Sequence, residues 1–268
     1  KMSISPTLAL TSQRVMTSRG ERPGAILICG EKILDVVSIQ EIPSYCPVED
    51  IGNDVIMPGL VDTHVHINEP GRTDWEGFET ATKAAASGGI TTLVDMPLNS
   101  IPVTTTVNAL KQKLLVTQDQ LWVDCGFYGG LIPGNLQDLE SLADAGVLGF
   151  KAFLSHSGID EFPNITEEHL REALPVFTKK GVPVLVHAEL ENDVIASEDY
   201  STYKSFQDSR PKSWENNAVK LLIQLCQEYG AQIHIVHLSS SDVLTEIAQT
   251  QNDGFPISVE TCPHYLHF

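Results

Sequence analysis

The sequence predicts an α/β fold, a (β/α)8 barrel of the TIM type preceded by a small β domain. From Pro58 onward, short apolar runs typical of strands alternate with segments that have helical periodicity. Glycines follow several of the helical segments, where helices commonly end. Residues 1–57 show only short strands and turns, and Ala25–Cys29 and Lys32–Ser38 flank Gly30 as a predicted hairpin. Repeated strand–helix units favour a parallel sheet covered by helices.

Seven strands are predicted in residues 58–268, and a helix follows each of the first six. A closed barrel of this type has eight strands, so the eighth is expected beyond Phe268. A polypeptide that ends at Phe268 is therefore expected to fold poorly and to be inactive by itself. The predicted strands are Leu60–Ile67, Ile90–Met96, Trp122–Gly129, Val147–Leu154, Val184–Glu189, Gln232–Leu238 and Ile257–Tyr265. The predicted helices are Trp75–Ala86, Val107–Leu115, Leu136–Ala145, Glu167–Lys180, Trp214–Tyr229 and Asp242–Gln249.

Composition restricts the partners and the compartment. The chain has 268 residues, 42% of them hydrophobic, and a formal net charge of −18. Nucleic acids and anionic membrane surfaces repel an acidic protein, so neither is an expected partner. No apolar run approaches the roughly 18–20 residues of a membrane span, and no signal segment opens the chain. We expect an intracellular protein, cytoplasmic or in a peroxisome or mitochondrion, although Lys1 before Met2 leaves a lost targeting segment open.

The five cysteines lie far apart in the sequence, without a C-x-x-C pair. This spacing is typical of free thiols in a reducing compartment. It disfavours a disulfide framework and a structural zinc site.

Two histidines on the first predicted barrel strand suggest a metal site. Asp62, His64 and His66 occupy alternate positions and therefore share one face of the strand. Imidazole nitrogen is a good ligand for zinc and similar ions, and active sites of TIM barrels lie at the carboxyl ends of the strands. The pair alone is a weak signal, and two unrelated strand histidines remain an alternative.

Lys151 lies on the fourth predicted strand, with Phe150, Ala152 and Leu154 on the opposite, apolar face. A lysine that points into a barrel is costly unless it is neutralised, paired or chemically altered. One alternative is an ordinary ion pair. The other is reaction of the neutral amine with carbon dioxide, which gives a carbamate that can bridge two cations.

Four further histidines lie on predicted strands. His187 and His237 lie near the carboxyl ends of the fifth and sixth strands. His234 has the opposite parity to His237 and is expected to pack under the helices. His264 lies near the end of the seventh strand, where contact with a substrate and a structural role are both open.

The histidine pair, Lys151, His187 and His237 resemble the ligand set of the binuclear amidohydrolase superfamily. The longer motifs resemble those of the allantoinases, in the cyclic-amidohydrolase branch that also contains dihydroorotases and dihydropyrimidinases. The resemblance runs over essentially the whole chain. Members of this branch add a small β-sandwich built from both termini, so residues 1–57 are expected to be its N-terminal part. The motifs are HVHINEPGRTDWEGF (64–78), DMPLNSIP (95–102), FKAFLSHSGIDEFP (150–163), HAEL (187–190) and ETCPHYL (260–266).

The resemblance implies hydrolysis of a ring amide by two divalent metal ions, with zinc expected. His64 and His66 would bind one ion, His187 and His237 the other, and a carbamate on Lys151 would bridge them. In the family an aspartate on the eighth strand is the general base and acid. That residue is expected beyond Phe268, so no proton-transferring residue is assigned within this chain. A homo-oligomer, specifically a homotetramer, is also implied.

The resemblance further points to allantoin, a neutral ureide, as the small-molecule substrate. Dihydroorotases typically carry an arginine and an asparagine for the substrate carboxylate at two positions, where this chain has Asn68 and Leu98. Asn68 and Asn99 are expected to hydrogen-bond the ureide. Arg72 could do the same, but an ion pair between loops is an equal alternative for it.

Three other interpretations stay open. The nearest is another cyclic amide as substrate, such as a hydantoin, a dihydropyrimidine or dihydroorotate. A catalytically inactive relative that serves as an assembly scaffold belongs to a different class of function, but such relatives usually lose metal ligands. A β/α protein without metal would leave the inward position of Lys151 unexplained.

Overall fold

A computed structural model describes residues 5–191 and 201–267 of the chain. Two compact units are present, Lys1–Leu60 and Val61–Phe268. The sequence-based boundary after residue 57 lies close to this division. Among the described residues, no helix combines the length and the apolar character needed to cross a membrane.

The first unit contains a five-stranded sheet in the order β3-β2-β1-β4, with β5 also paired to β1. β2 and β3 form the predicted hairpin, and Gly30 takes a φ of 58° at its turn, a conformation that glycine adopts without strain. The long strand β1 was not predicted from the sequence. The strands are β1 (Leu8–Thr17), β2 (Gly20–Cys29), β3 (Lys32–Val37), β4 (Val48–Asp50) and β5 (Val55–Ile56).

The second unit alternates strands and helices, as predicted. α4 has the predicted bounds, and Gly181 ends it in the left-handed conformation. The strands are β6 (Leu60–Val65), β7 (Ile90–Asp95), β8 (Asp124–Phe127), β9 (Gly129–Gly130), β10 (Phe150–Phe153), β11 (Val184–His187), β12 (Ile233–Ile235) and β13 (Ile257–Val259). The helices are α1 (Phe78–Ser87), α2 (Val107–Val116), α3 (Leu136–Asp144), α4 (Glu167–Lys180), α5 (Tyr203–Asp208), α6 (Lys212–Tyr229), α7 (Leu244–Asn252) and α8 (Pro263–His267).

The strands of this unit form two parallel sheets rather than one closed barrel. Their orders are β6-β7-β8 and β13-β12-β11-β10-β9. The two sheets meet at Tyr128, within the predicted third strand. The Tyr128 N–H donates to the carbonyl of Asp95 on β7, while the Gly129 N–H donates to Gly149, just before β10. The strands therefore follow one another in chain order from β6 to β13.

Each sheet has a helix-facing side and an opposite side, which we call the inner face. The helix-facing side carries the larger apolar cluster, which includes Phe150 and Ala152. A second, smaller cluster covers the inner face and includes Val94, Leu185 and Val236. Alternation along β10 thus buries its apolar residues against helices and leaves Lys151 on the inner face, as predicted.

The expected position of His234 under the helices is wrong. Its neighbours Ile233 and Ile235 occupy that side, and the His234 ring hydrogen-bonds to Ser258 Oγ at 2.8 Å and to Glu260 Oε2 at 3.3 Å. β12 ends at Ile235, and His237 takes a positive φ of 39°. The alternation of side chains between the two faces is therefore interrupted between His234 and His237. For this reason the face of His234 could not be inferred from that of His237.

Candidate metal centre

The four predicted histidine ligands lie together where β6, β11 and β12 end. The ring centroid of His64 is 5.4 Å from that of His66 and 5.5 Å from that of His237. The rings of His187 and His237 are 4.7 Å apart, and His187 Nδ1 is 3.1 Å from His237 Nε2. Parallel strands bring their carboxyl ends to one edge, which explains how residues distant in sequence meet here.

Lys151 is buried on the inner face beside these rings. Its side chain is 1% exposed, and its Nζ has no hydrogen-bond partner among the described residues. The ion pair considered as an alternative is therefore not formed in the described part of the chain. Its Nζ lies 4.6 Å from the Phe153 ring, and that ring stacks on His187 at 4.9 Å. Burial lowers the pKa of Lys151 to about 7, since an ammonium loses its hydration there.

Two of the histidines are strongly biased toward the neutral form. Burial, followed by the nearby His64 and Lys151 charges, lowers the pKa of His66 to about 3. Burial and the Lys151 charge likewise lower the pKa of His237 to about 3. His66 Nδ1 is buried and lacks a hydrogen-bond partner among the described atoms. Neutral imidazole is the form that binds metal ions.

His187 is oriented by a carboxylate. Its Nε2 lies 2.7 Å from Glu189 Oε2, and Ser155 Oγ donates to the same oxygen at 3.4 Å. The hydrogen bond from His187 holds the pKa of Glu189 below its usual value. A carboxylate on one ring nitrogen fixes the tautomer and leaves the other nitrogen available to a metal ion.

Glu260 also belongs to the cluster, although no role was predicted for it from the sequence. β13 ends at Val259, and Glu260 hydrogen-bonds to His64 Nδ1 and accepts the His237 N–H at 3.3 Å. Burial alone would raise the pKa of Glu260, but hydrogen bonds from His234 and His64 outweigh it and hold that pKa below its usual range. Its inward parity with Ser258 was a signal that could have identified it.

A buried ion pair supports the backbone beside the histidine pair. Lys113 on α2 contacts Asp95 at 2.6 Å, with side chains only 1% and 0% exposed. The other Asp95 oxygen accepts the N–H of Ile67 at 2.7 Å, directly after His66. Burial raises the pKa of Asp95 to about 6, and the Lys113 ammonium opposes that rise.

The residues predicted to bind substrate lie in loops beyond the strands. Asn68 is buried, and its carbonyl accepts the Arg72 N–H at 2.9 Å. The Arg72 guanidinium donates to the Asn99 carbonyl at 2.8 Å and to Glu161 at 3.0 Å. The ion pair between loops that was considered for Arg72 is therefore present. Asn99 takes a positive φ of 75°.

His264 does not lie on a strand, which corrects the predicted extent of Ile257–Tyr265. It is an exposed residue of the short helix α8, and its ring packs 4.6 Å from that of Tyr265. β13 ends at Val259, and Pro263, which cannot donate a strand hydrogen bond, begins α8.

The donor set fits a metal centre, although the side chains are not arranged as one. Across residues 5–191 and 201–267, no three His, Cys, Asp or Glu side chains converge as a coordination group. Instead, His64 is hydrogen-bonded to Glu260, and His187 is hydrogen-bonded to His237 and Glu189. Imidazoles held neutral, an unpartnered His66 nitrogen and a buried, unpartnered amine are nevertheless the groups such a centre needs.

The chain is similar to known proteins over most of its length. The sequence profile of the Amidohydrolase family matches residues 55–265. An allantoinase from Streptomyces avermitilis is 49% identical over 97% of this chain and 59% of its own length. An allantoinase from Saccharomyces cerevisiae is 44% identical over 97% of this chain and 60% of its own length.

A solved L-hydantoinase (dihydropyrimidinase) from Arthrobacter aurescens superposes with a TM-score of 0.86 at 29% identity. That match covers 98% of this chain and 60% of the hydantoinase. The chain thus spans about 60% of the length of the relatives it matches. Because the family profile covers most of the sequence, the chain belongs to the amidohydrolase family.

Proposed function

We propose that this chain carries the metal centre of a hydrolase that opens the ring of allantoin to give allantoate. The observation that supports this most directly is Lys151, which is buried beside four clustered histidines and has no hydrogen-bond partner within residues 5–191 and 201–267. The identity of 44–49% with proteins named allantoinase supports the choice of substrate.

The fold supports the proposal in a coarser way. We propose that the strands from β6 to β13, which follow chain order across the two sheets, are seven strands of a (β/α)8 barrel, with β8 and β9 counted as one strand interrupted at Tyr128. We also propose that the sheet of residues up to Leu60 is part of a β-sandwich. A homo-oligomer, by resemblance a homotetramer, in the cytoplasm or an organelle would be consistent with the family.

The proposed ligands are His64 and His66 for one divalent ion, and His187 and His237 for the other, with Lys151 shared. Two such ions, zinc by expectation, would supply positive charge that polarises an amide carbonyl and acidifies water. The ring of His187 would first give up its contact with His237. Glu189 and Glu260 would then orient His187 and His64 as hydrogen-bond acceptors.

Lys151 would act as a carbamate. Its pKa of about 7 leaves a large neutral fraction, and only the neutral amine can attack carbon dioxide. A nitrogen–carbon bond would form between the neutral amine and carbon dioxide as one carbon–oxygen π bond opens, one proton would leave to solvent, and a buried neutral group would become an anion. Such an anion is unfavourable in this apolar surrounding without nearby positive charge, which links carbamate formation to metal binding.

For substrate binding we propose Asn68, Asn99, Arg72 and His264. The buried Asn68 lies two residues after His66, and its amide could hydrogen-bond a neutral ureide. Arg72 is occupied by Glu161 and the Asn99 carbonyl, so it would shape the loops rather than present a free charge. His264 is exposed on α8, and its neighbour Tyr265 lines a cavity together with His187 and His237.

We expect kcat/KM to be highest for allantoin among allantoin, hydantoin, dihydrouracil and dihydroorotate. The margin over dihydroorotate should be at least about a hundredfold, because Asn68 and Leu98 supply no cation for its carboxylate. The comparison here, and every activity or metal measurement on the variants, is made on zinc-loaded protein that carries all eight strands of the proposed barrel. A preference for hydantoin would favour the second candidate function, which the hydantoinase similarity supports. A preference for dihydroorotate would contradict both.

A further inference from the structure

The first turn of α6 is bonded to both loops that follow the proposed ligands of the second ion. The Leu190 N–H, shortly after His187, donates to the carbonyl of Trp214 at 3.1 Å. The Glu215 carboxylate accepts three hydrogen bonds from the loop after His237. They come from the Ser239 N–H at 3.0 Å, the Ser239 hydroxyl at 2.9 Å and the Ser240 N–H at 2.6 Å.

This contact lies next to a strained backbone position. His237 takes a φ of 39°, which is uncommon for a residue other than glycine. Such a conformation persists when the surrounding structure fixes it. Glu260 accepts the His237 N–H on one side, and Glu215 holds Ser239 and Ser240 on the other.

Glu215 is itself held on a rigid support. Its neighbour Trp214 is buried, and Ala218 and Leu222 on the following turns of α6 belong to the apolar cluster on the helix-facing side. Glu215 also lines a cavity of about 170 Å³ together with His187 and His237. Both of its oxygens already accept hydrogen bonds from the loop, so its place in the cavity wall is a structural one rather than a free carboxylate.

We propose that Glu215 is a positioning residue that fixes the backbone after His237 and thereby sets the affinity of the His187–His237 half of the centre for its metal ion. The carboxylate accepts charge-assisted hydrogen bonds, which are stronger than those of a neutral amide. Through Trp214 the same helical turn also holds the loop after His187. This inference rests on the proposed function for the presence of the ion.

The test compares Glu215→Gln with Glu228→Gln. Gln has the size of Glu, but its side-chain NH2 group is a hydrogen-bond donor and would face the N–H and O–H donors of the loop. Glu228 lies at the other end of the same helix and contacts the exposed Arg171, so its variant is a matched control. Ser239→Ala, which removes a single hydroxyl donor, gives a milder change in the same place.

In metal-free protein, the rate of amide hydrogen exchange reports directly on how firmly the backbone of this loop is held. We expect the Ser239 and Ser240 amides to exchange at least about tenfold faster in Glu215→Gln than in the wild type or Glu228→Gln. Zinc titration against a chelator reads the metal site. We expect one of the two zinc ions, the one assigned to His187 and His237, to lose about ten- to hundredfold in affinity in Glu215→Gln, and less in Ser239→Ala.

A wrong role for Glu215 and a wrong proposed function give different results. Unchanged exchange, or unchanged zinc affinity in Glu215→Gln, overturns the role of Glu215. A wild-type protein that binds no zinc instead contradicts the proposed function, and exchange alone then decides whether Glu215 holds the loop.

Discussion

Replacing Lys151 by alanine is expected to remove most of the bound metal and to reduce allantoin hydrolysis by about three orders of magnitude or more. The proposed carbamate is the only group shared by both halves of the centre, so its loss affects both ions. Metal per chain and kcat are measured on the same preparations. Short carboxylic acids are expected to restore part of the activity by replacing the carbamate.

Two further variants separate chemistry from packing. Lys151→Met keeps most of the buried volume but cannot form a carbamate, and it should lose metal like Lys151→Ala. Lys179→Ala removes a surface lysine that contacts Glu140, and it should behave as the wild type. The carbamate itself is expected as a carbon-13 resonance after incubation with labelled bicarbonate. Full metal content and normal turnover in Lys151→Met would show that Lys151 does not bridge the ions.

Replacing Lys113 by methionine is expected to destabilise the fold by about 3–5 kcal/mol near neutral pH. The reason is that Asp95 would remain buried without its partner. The free energy of unfolding is measured by urea denaturation. Lys83 pairs with Glu79 on the exposed surface of α1, so Lys83→Met is the control and should cost less than about 1 kcal/mol. Adding Asp95→Asn to Lys113→Met should recover part of the loss, because no charge then remains unpaired.

The loss in Lys113→Met should depend on pH. The folded pKa of Asp95, about 6, lies above the 3.8 of an unburied aspartate, so protonation of Asp95 favours the folded state. This stabilisation of the folded state by protonation is fully present below pH 3.8 and is lost as the pH rises through about 6. Without Lys113 the folded pKa rises further. The destabilisation should therefore be smaller at about pH 5 than at about pH 8, and equal losses at both would contradict an ionised, uncompensated Asp95.

Local rules predicted the parts of the site that depend on one strand or one helix. Alternation along β10 placed Lys151 opposite Phe150 and Ala152, and the caps and periodicity of α4 set both of its ends. Sequence could not show that β12 stops at Ile235 and that His237 adopts a left-handed conformation. For that reason the position of His234 was predicted wrongly.

Contacts between distant elements were also missed. Lys113 and Asp95 lie on α2 and β7, and nothing local marks them as a buried pair. Glu260 meets His64 only because β13 and β6 end at the same place in the fold. Glu215 bonds Ser239 because α6 packs beside the loop that follows β12. Each contact depends on tertiary packing rather than on periodicity.

The most direct test of the proposed centre is the metal content of the purified protein, measured together with allantoin hydrolysis during metal removal and return. The account predicts about two divalent ions per chain, loss of hydrolysis on chelation, and recovery when zinc is restored. Allantoin hydrolysis that continues unchanged in protein shown to contain no metal would contradict it.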